Sequence, residues 1–142
     1  MTLVEKAKDL AHRAHAGQVD KAGRPYIEHV ARVAAAVADD PEAEAVAWLH
    51  DVLEDSESHA DEVYAGFPQN IVGAVVMLTR HASGTNSEYY ASIRLFPAAL
   101  RVKLADIADN ADEARLALLD EKTAARLRRK YAKALAALGH NT

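Results

Sequence analysis

At 142 residues, half of them apolar and only 6% aromatic, the chain has the size of one compact domain with a core of Ala, Val and Leu. The absence of cysteine excludes disulfides, thiolate metal sites and a Cys nucleophile. A formal net charge of −4 argues against a general nucleic-acid surface while leaving room for a local basic pocket. No apolar run approaches the roughly 20 residues of a membrane span, and the opening MTLVEKAKDL has no signal-peptide pattern. The expectation is a soluble, cytoplasmic, helical protein.

The periodicity predicts an amphipathic helix over 2–16, with Leu3, Ala7, Leu10, Ala11 and Ala14 on one face. Gly17 ends it, and QVDKAGRP (18–25) is a polar loop closed by a proline. A second helix is expected from about Pro25 to Ala38, proline being well suited to a first turn, with Ile27, Val30, Val33, Ala34 and Val37 as its stripe. DDP (39–41) breaks the chain before a third helix, about Glu42 to Leu53, that is apolar nearly all round and so central. EDSESHADEV (54–63) leads into a short helix ending near Gly66, and another helix is expected at about 69–80. HASGTN (81–86) reads as a loop, followed by a helix from about Ser87 to Leu95. After Phe96-Pro97 comes a long apolar helix carrying Ala99, Leu100, Val102, Leu104, Ala105 and Ile107. The last helix, about Asp120 to Leu138, carries Arg126, Arg128, Arg129 and Lys130. With no repeat, linker or convincing strand, the pattern predicts an all-α array of seven or eight helices in a single domain over 1–142.

Polar residues sit inside the most apolar of these helices, where an unpaired ion costs several kcal/mol. His50-Asp51 offers a nitrogen and an oxygen ligand for a divalent metal, Asp106 in KLADIADN offers another oxygen, and His29 in PYIEHV completes two histidines and two aspartates. Such a set suits Mn²⁺, Fe²⁺ or Zn²⁺ better than Ca²⁺. Glu54 and Asp55 follow Asp51 at i+3 and i+4, so on a continuous helix the three share a face and the last two can orient a water and take its proton. Asp106, Asp109 and Asn110 repeat the spacing, with Asn110 placed to hydrogen-bond a sugar or phosphate. Taken singly, these residues have bland readings. His12, His15, His59, His81 and His140 read as surface or capping residues, Asp109 as a surface charge, and Lys21 and Arg24 as solubilisers of a loop.

Read together, AHAGQ (14–18), K-x-G-x-PYIEHV (21–30), AWLHDVLEDS (47–56), LTR (78–80) and VKLADIADN (102–110) resemble the HD-superfamily alarmone hydrolases. These comprise single-domain guanosine tetraphosphate hydrolases and the hydrolase domains of bifunctional alarmone synthetase–hydrolases. The resemblance runs from about residue 7 to residue 112. It implies the all-helical HD fold, His29, His50, Asp51 and Asp106 as ligands of a metal that is usually Mn²⁺, and Glu54 and Asp55 as the catalytic acidic pair. It further implies that Asn110 and Lys21 face a nucleotide, with Tyr131 as a substrate contact; on charge, Arg24 and the basic last helix are expected to join Lys21 in neutralising phosphate. The implied reaction removes the 3′-pyrophosphate of guanosine tetra- or pentaphosphate. Two positions depart from the family pattern: Asp20 stands where an Arg commonly covers the guanine, and Leu127 stands where an Arg often precedes the tyrosine.

With 142 residues leaving no room for a synthetase domain, a stand-alone hydrolase is expected. Its partner is a small nucleotide rather than nucleic acid or membrane, and an oligomer is compatible with the pattern. Asp20 motivates an alternative with the same chemistry, a phosphatase of another nucleotide such as a phosphorylated dinucleotide cofactor. A third reading, a non-catalytic nucleotide sensor or oligomeric interaction domain, has little use for Glu54 and Asp55.

Overall fold

The computed structural model of the chain describes residues 1–81 and 84–139; His140 and part of the 81–86 loop lie outside them. Ten α-helical segments occur among the described residues: α1 (Leu3–Ala14), α2 (Tyr26–Ala36), α3 (Pro41–Leu49), α4 (Val52–Asp55), α5 (Ala60–Gly66), α6 (Gln69–Leu78), α7 (Asn86–Arg94), α8 (Pro97–Asn110), α9 (Glu113–Leu116) and α10 (Glu121–Ala137). Two of them, α4 and α9, are single turns of 4 residues; without them the number is eight, within the seven or eight expected. No strand forms among the described residues; Val19 and Pro25 make one isolated antiparallel bridge across the 18–25 loop. None of the described helices is long and apolar enough to cross a membrane.

Local signals set the helix starts. Thr2 and Glu5 form a reciprocal capping box on α1. Asp40 caps α3 ahead of Pro41, and Asp120 caps α10. Gly17 and Gly23 both take φ of +81°, a left-handed conformation that glycine adopts without a Cβ clash, and these two positions turn the loop between α1 and α2.

Helix α3 is the centre of the array, packed by α1, α2, α6 and α8. Its run from Ala45 to Leu49 is buried throughout, and each fully buried aliphatic side chain of Val or Leu size contributes about 1.5–3 kcal/mol. Polar side chains are carried on the same buried stripes. On α8 the buried residues include Ala99, Val102 and Asp106, spaced by three and four. On α2 they include His29, Val30 and Val33. A smaller cluster of Leu116, Ala124 and Leu127, with Leu119 and Tyr131 against it, joins α9 to α10.

One prediction needs correction at a decisive place. The expected helix over 42–53 does not run through: α3 stops at Leu49 and α4 begins at Val52. His50 caps the first helix, and Asp51 adopts φ −106° and ψ −1°, in the bridge region where active-site residues often lie. The two side chains therefore converge across a kink rather than diverging around a regular helix.

Candidate metal centre and the adjoining cavity

His29, His50, Asp51 and Asp106 each present one ligand atom, and these atoms lie within 4.8 Å of one another. His29 Nε2 lies 2.9 Å from Asp106 Oδ1, and His50 Nε2 lies 3.3 Å from the same oxygen and 3.1 Å from Asp51 Oδ2. The outer nitrogens are already engaged. His50 Nδ1 donates to the Ala47 carbonyl at 2.6 Å, and His29 Nδ1 donates to Asp109 Oδ2 at 2.6 Å. This fixes both rings with Nε2 turned to the centre, the arrangement that carboxylate and carbonyl partners impose on metal-binding histidines. Two imidazole nitrogens and two carboxylate oxygens, so oriented and all but Asp51 buried, fit a divalent transition ion.

Charge stabilises the cluster. Burial resists protonation of His50, but Asp51 and Asp106 hold its imidazole well above the usual value. His29 follows the same logic, with Asp106 and Asp109 outweighing burial. Burial pushes the Asp106 carboxyl up, yet the two histidines and Lys103 hold it well below the usual carboxylate range. Lys103 Nζ sits 3.2 Å from Asp106 Oδ2, and Asn110 Nδ2 donates to Oδ1 at 3.2 Å. In chelator, therefore, both rings hold their protons more tightly than an ordinary histidine does. Because their folded pKa values are raised above about 6.5, the stability they add is complete below that value and lost as pH rises through the folded pKa. A metal competes with those protons, so its affinity should climb with pH. Titration calorimetry with Mn²⁺ in two buffers of different ionisation enthalpy should give unequal heats; equal heats would contradict proton release.

Asp109 is not the surface charge its position suggests. Besides His29, it accepts from Arg32 Nε at 2.7 Å and Arg115 Nη1 at 2.8 Å; burial raises its pKa, but these partners lower it to about 2. Replacing Asp109 with Ala should weaken Mn²⁺ binding by about 10–100-fold, the usual cost of losing such a support; an unchanged titration midpoint would rule out this role.

The acidic pair lies beside the centre on α4. Glu54 is exposed, and its Oε1 accepts from the Arg80 backbone N–H at 2.6 Å, which gives the LTR segment a local purpose. Asp55 accepts from Gln18 Nε2 at 3.2 Å, and Gln18 Oε1 lies 2.7 Å from His15 Nδ1. Desolvation of its carboxyl and the charge on Asp51 push Asp55 up, against the pull of Gln18. His15 thus proves to be a core residue, 1% exposed, with no partner for Nε2 among the described residues. His12, His59 and His81 fit the surface-or-capping expectation better: His12 and His81 are exposed, and His59 Nδ1 lies 2.7 Å from Ser56 Oγ.

A cavity of about 490 Å³ adjoins the centre, with Lys21, Arg24, Asn110 and Tyr131 all in its wall. Tyr26 and Asn110 connect the two, since the Tyr26 hydroxyl donates to Asp51 and Asn110 to Asp106. Arg24 is paired with Glu28 at 2.8 Å. Asp20 does not reach across the cavity: its Oδ1 accepts the amides of Ala22 and Arg24, both at 2.9 Å, and its Oδ2 accepts from Arg115 at 3.0 Å. Leu127 belongs to the apolar wall. On α10, burial and the like charges of Arg80, Lys103, Lys21 and Arg126 pull the Lys130 ammonium down, which marks a concentration of cations near this side of the site. Tyr26, Lys103 and Arg115 were missed by the sequence reading, as was the part that Asp109 plays.

No protein-family model matches the chain. It is 30% identical over 118 residues, 75% of its length, to a guanosine-3′,5′-bis(diphosphate) 3′-pyrophosphohydrolase of Aquifex aeolicus (strain VF5). It is 38% identical over 76 residues, 51% of its length, to a GTP pyrophosphokinase of Streptomyces antibioticus. The chain spans only 17% and 9% of the lengths of those two relatives. Among solved structures, a metazoan ortholog of SpoT that hydrolyses ppGpp superposes with a TM-score of 0.75 over 97% of this chain and 84% of that one, at 22% identity. In sequence over three quarters of its length and in fold over nearly all of it, this chain is similar to the alarmone hydrolases, and its all-α architecture is their HD-domain fold.

Proposed function

We propose that the chain hydrolyses the 3′-pyrophosphate of guanosine tetra- or pentaphosphate, giving GDP or GTP and pyrophosphate, with Mn²⁺ as its resident ion and one domain carrying the whole site. The observation that carries this reading is the convergent set of two histidines and two aspartates, all but Asp51 buried, opening past Tyr26 and Asn110 onto a cavity edged by Lys21 and Arg24. A divalent ion held by His29, His50, Asp51 and Asp106 would supply Lewis acidity toward a phosphoryl oxygen. Glu54 and Asp55 orient the attacking water and take its proton. The water oxygen bonds to the phosphorus next to the 3′ oxygen, the bond from that phosphorus to the 3′ oxygen breaks, and the 3′ oxygen leaves with a proton. Burial and the charge on Asp51 raise the pKa of Asp55, which suits its carboxylate to accepting a proton.

Lys21 and the cations around Lys130 neutralise the polyphosphate, and Arg24 joins them by exchanging Glu28 for phosphate. Asn110 and Tyr131 contact the nucleoside. The engagement of Asp20 with its own loop and Arg115 leaves the competing reading, a phosphatase of another phosphorylated nucleotide, as the one to exclude. Competitive turnover of a mixed panel containing guanosine tetraphosphate and a phosphorylated dinucleotide cofactor decides between them. A dominant kcat/KM for guanosine tetraphosphate is expected; preference for the dinucleotide would overturn the assignment while leaving the metal chemistry in place.

A further inference from the structure

Arg115 stands on the single turn α9, just beyond the end of α8, and its guanidinium reaches three residues at once. Nη1 donates to Asp109 Oδ2 at 2.8 Å, to the Asp109 carbonyl at 3.2 Å and to Asn110 Oδ1 at 3.2 Å, while Nη2 donates to Asp20 Oδ2 at 3.0 Å. The two carboxylates have side chains only 11% and 12% exposed, and that of Arg115 is 22% exposed. With two anions already bound, Arg115 is neutralised and is not a free phosphate ligand. We propose that Arg115 is a positioning residue that locks the Lys21-bearing loop to the metal centre. The loop half of this inference rests on the alarmone-hydrolase reading; the metal half stands on the site geometry alone.

Each contact has a directional consequence. Because Asn110 turns Oδ1 to Arg115, its Nδ2 is presented to Asp106 Oδ1 at 3.2 Å; without Arg115 the amide is free to flip and set oxygen against a carboxylate. The Asp109 oxygen that accepts from Arg115 is the one that also holds the His29 ring, at 2.6 Å. Asp20 gathers the amides of Ala22 and Arg24 on its other oxygen, so its bond to Arg115 fixes the turn that carries Lys21. A planar fork with five donors can serve these partners together, whereas a lysine ammonium is a point charge that cannot.

The test measures Mn²⁺ affinity without substrate, then kcat and KM for guanosine tetraphosphate, in Arg115→Met, Asp20→Asn and the double variant. Arg115→Met is expected to weaken Mn²⁺ binding by about 10-fold or more and to raise KM. Asp20→Asn should raise KM while leaving Mn²⁺ affinity within about twofold, since Asp109 and His29 keep their supports. The double variant should be no worse in KM than Arg115→Met, because both changes open one latch. Parental Mn²⁺ affinity in Arg115→Met, or KM effects that simply add, would overturn the proposal. Should Arg115→Met fail to fold, Arg115→Lys gives the same reading: reduced Mn²⁺ affinity supports the latch and parental affinity refutes it. Absence of alarmone turnover in the parent protein would sink the function assignment alone, because the Mn²⁺ measurement still reports on Arg115.

Discussion

An Asp106→Ala protein is expected to lose Mn²⁺ binding within the range of ordinary titration and to turn over guanosine tetraphosphate no faster than background. Asp106 is where the site closes: His29, His50, Lys103 and Asn110 all place a nitrogen within 3.3 Å of its carboxylate. Removing it takes away a ligand and leaves buried cationic groups without their common anion. Breaking a buried pair of this kind costs about 3–5 kcal/mol, so the unfolding midpoint in urea with chelator should fall as well. Asp106→Asn keeps the shape and separates the two effects: it should stay folded more readily yet bind Mn²⁺ far more weakly. Parental Mn²⁺ affinity in either variant would remove Asp106 from the ligand set.

Glu54→Gln should behave in the opposite way, keeping the metal and losing the chemistry. The amide oxygen of Gln can still accept from the Arg80 N–H that Glu54 accepts at 2.6 Å, so α4 should keep its anchor. What the substitution removes is the negative charge that orients water and draws its proton. Positioned acid–base groups contribute about 10²–10⁴-fold in rate, and a fall in kcat of that order with unchanged Mn²⁺ affinity is expected. An undiminished kcat would assign the proton work to Asp55 alone.

Much of this was legible in the chain because the strongest signals are local. Gly17, Asp40-Pro41 and Phe96-Pro97 bracket helices in the positions where those residues end or start them, and apolar spacing put His29 and Asp106 on buried stripes. The break at His50-Asp51 was not legible, since AWLHDVL is helical by pattern and only packing and the ring bond to Ala47 reveal the kink. Asp109 and Arg115 were not legible either. Their partners lie 80 and 95 residues away in sequence, at His29 and Asp20, and no periodicity records a contact of that separation. His15 looked like a surface residue because a histidine at the end of an alanine-rich helix has no local signature of burial. Asp20 looked like a defect in a nucleotide pocket for the same reason: its compensating cation, Arg115, comes from α9.

The most direct measurement of the central claim is product analysis after incubating the chelator-stripped protein with guanosine tetraphosphate, with Mn²⁺ restored and with chelator kept. Release of GDP and pyrophosphate in equal amounts, only where Mn²⁺ is present, is the predicted result. Unchanged guanosine tetraphosphate in the presence of bound Mn²⁺ would contradict it.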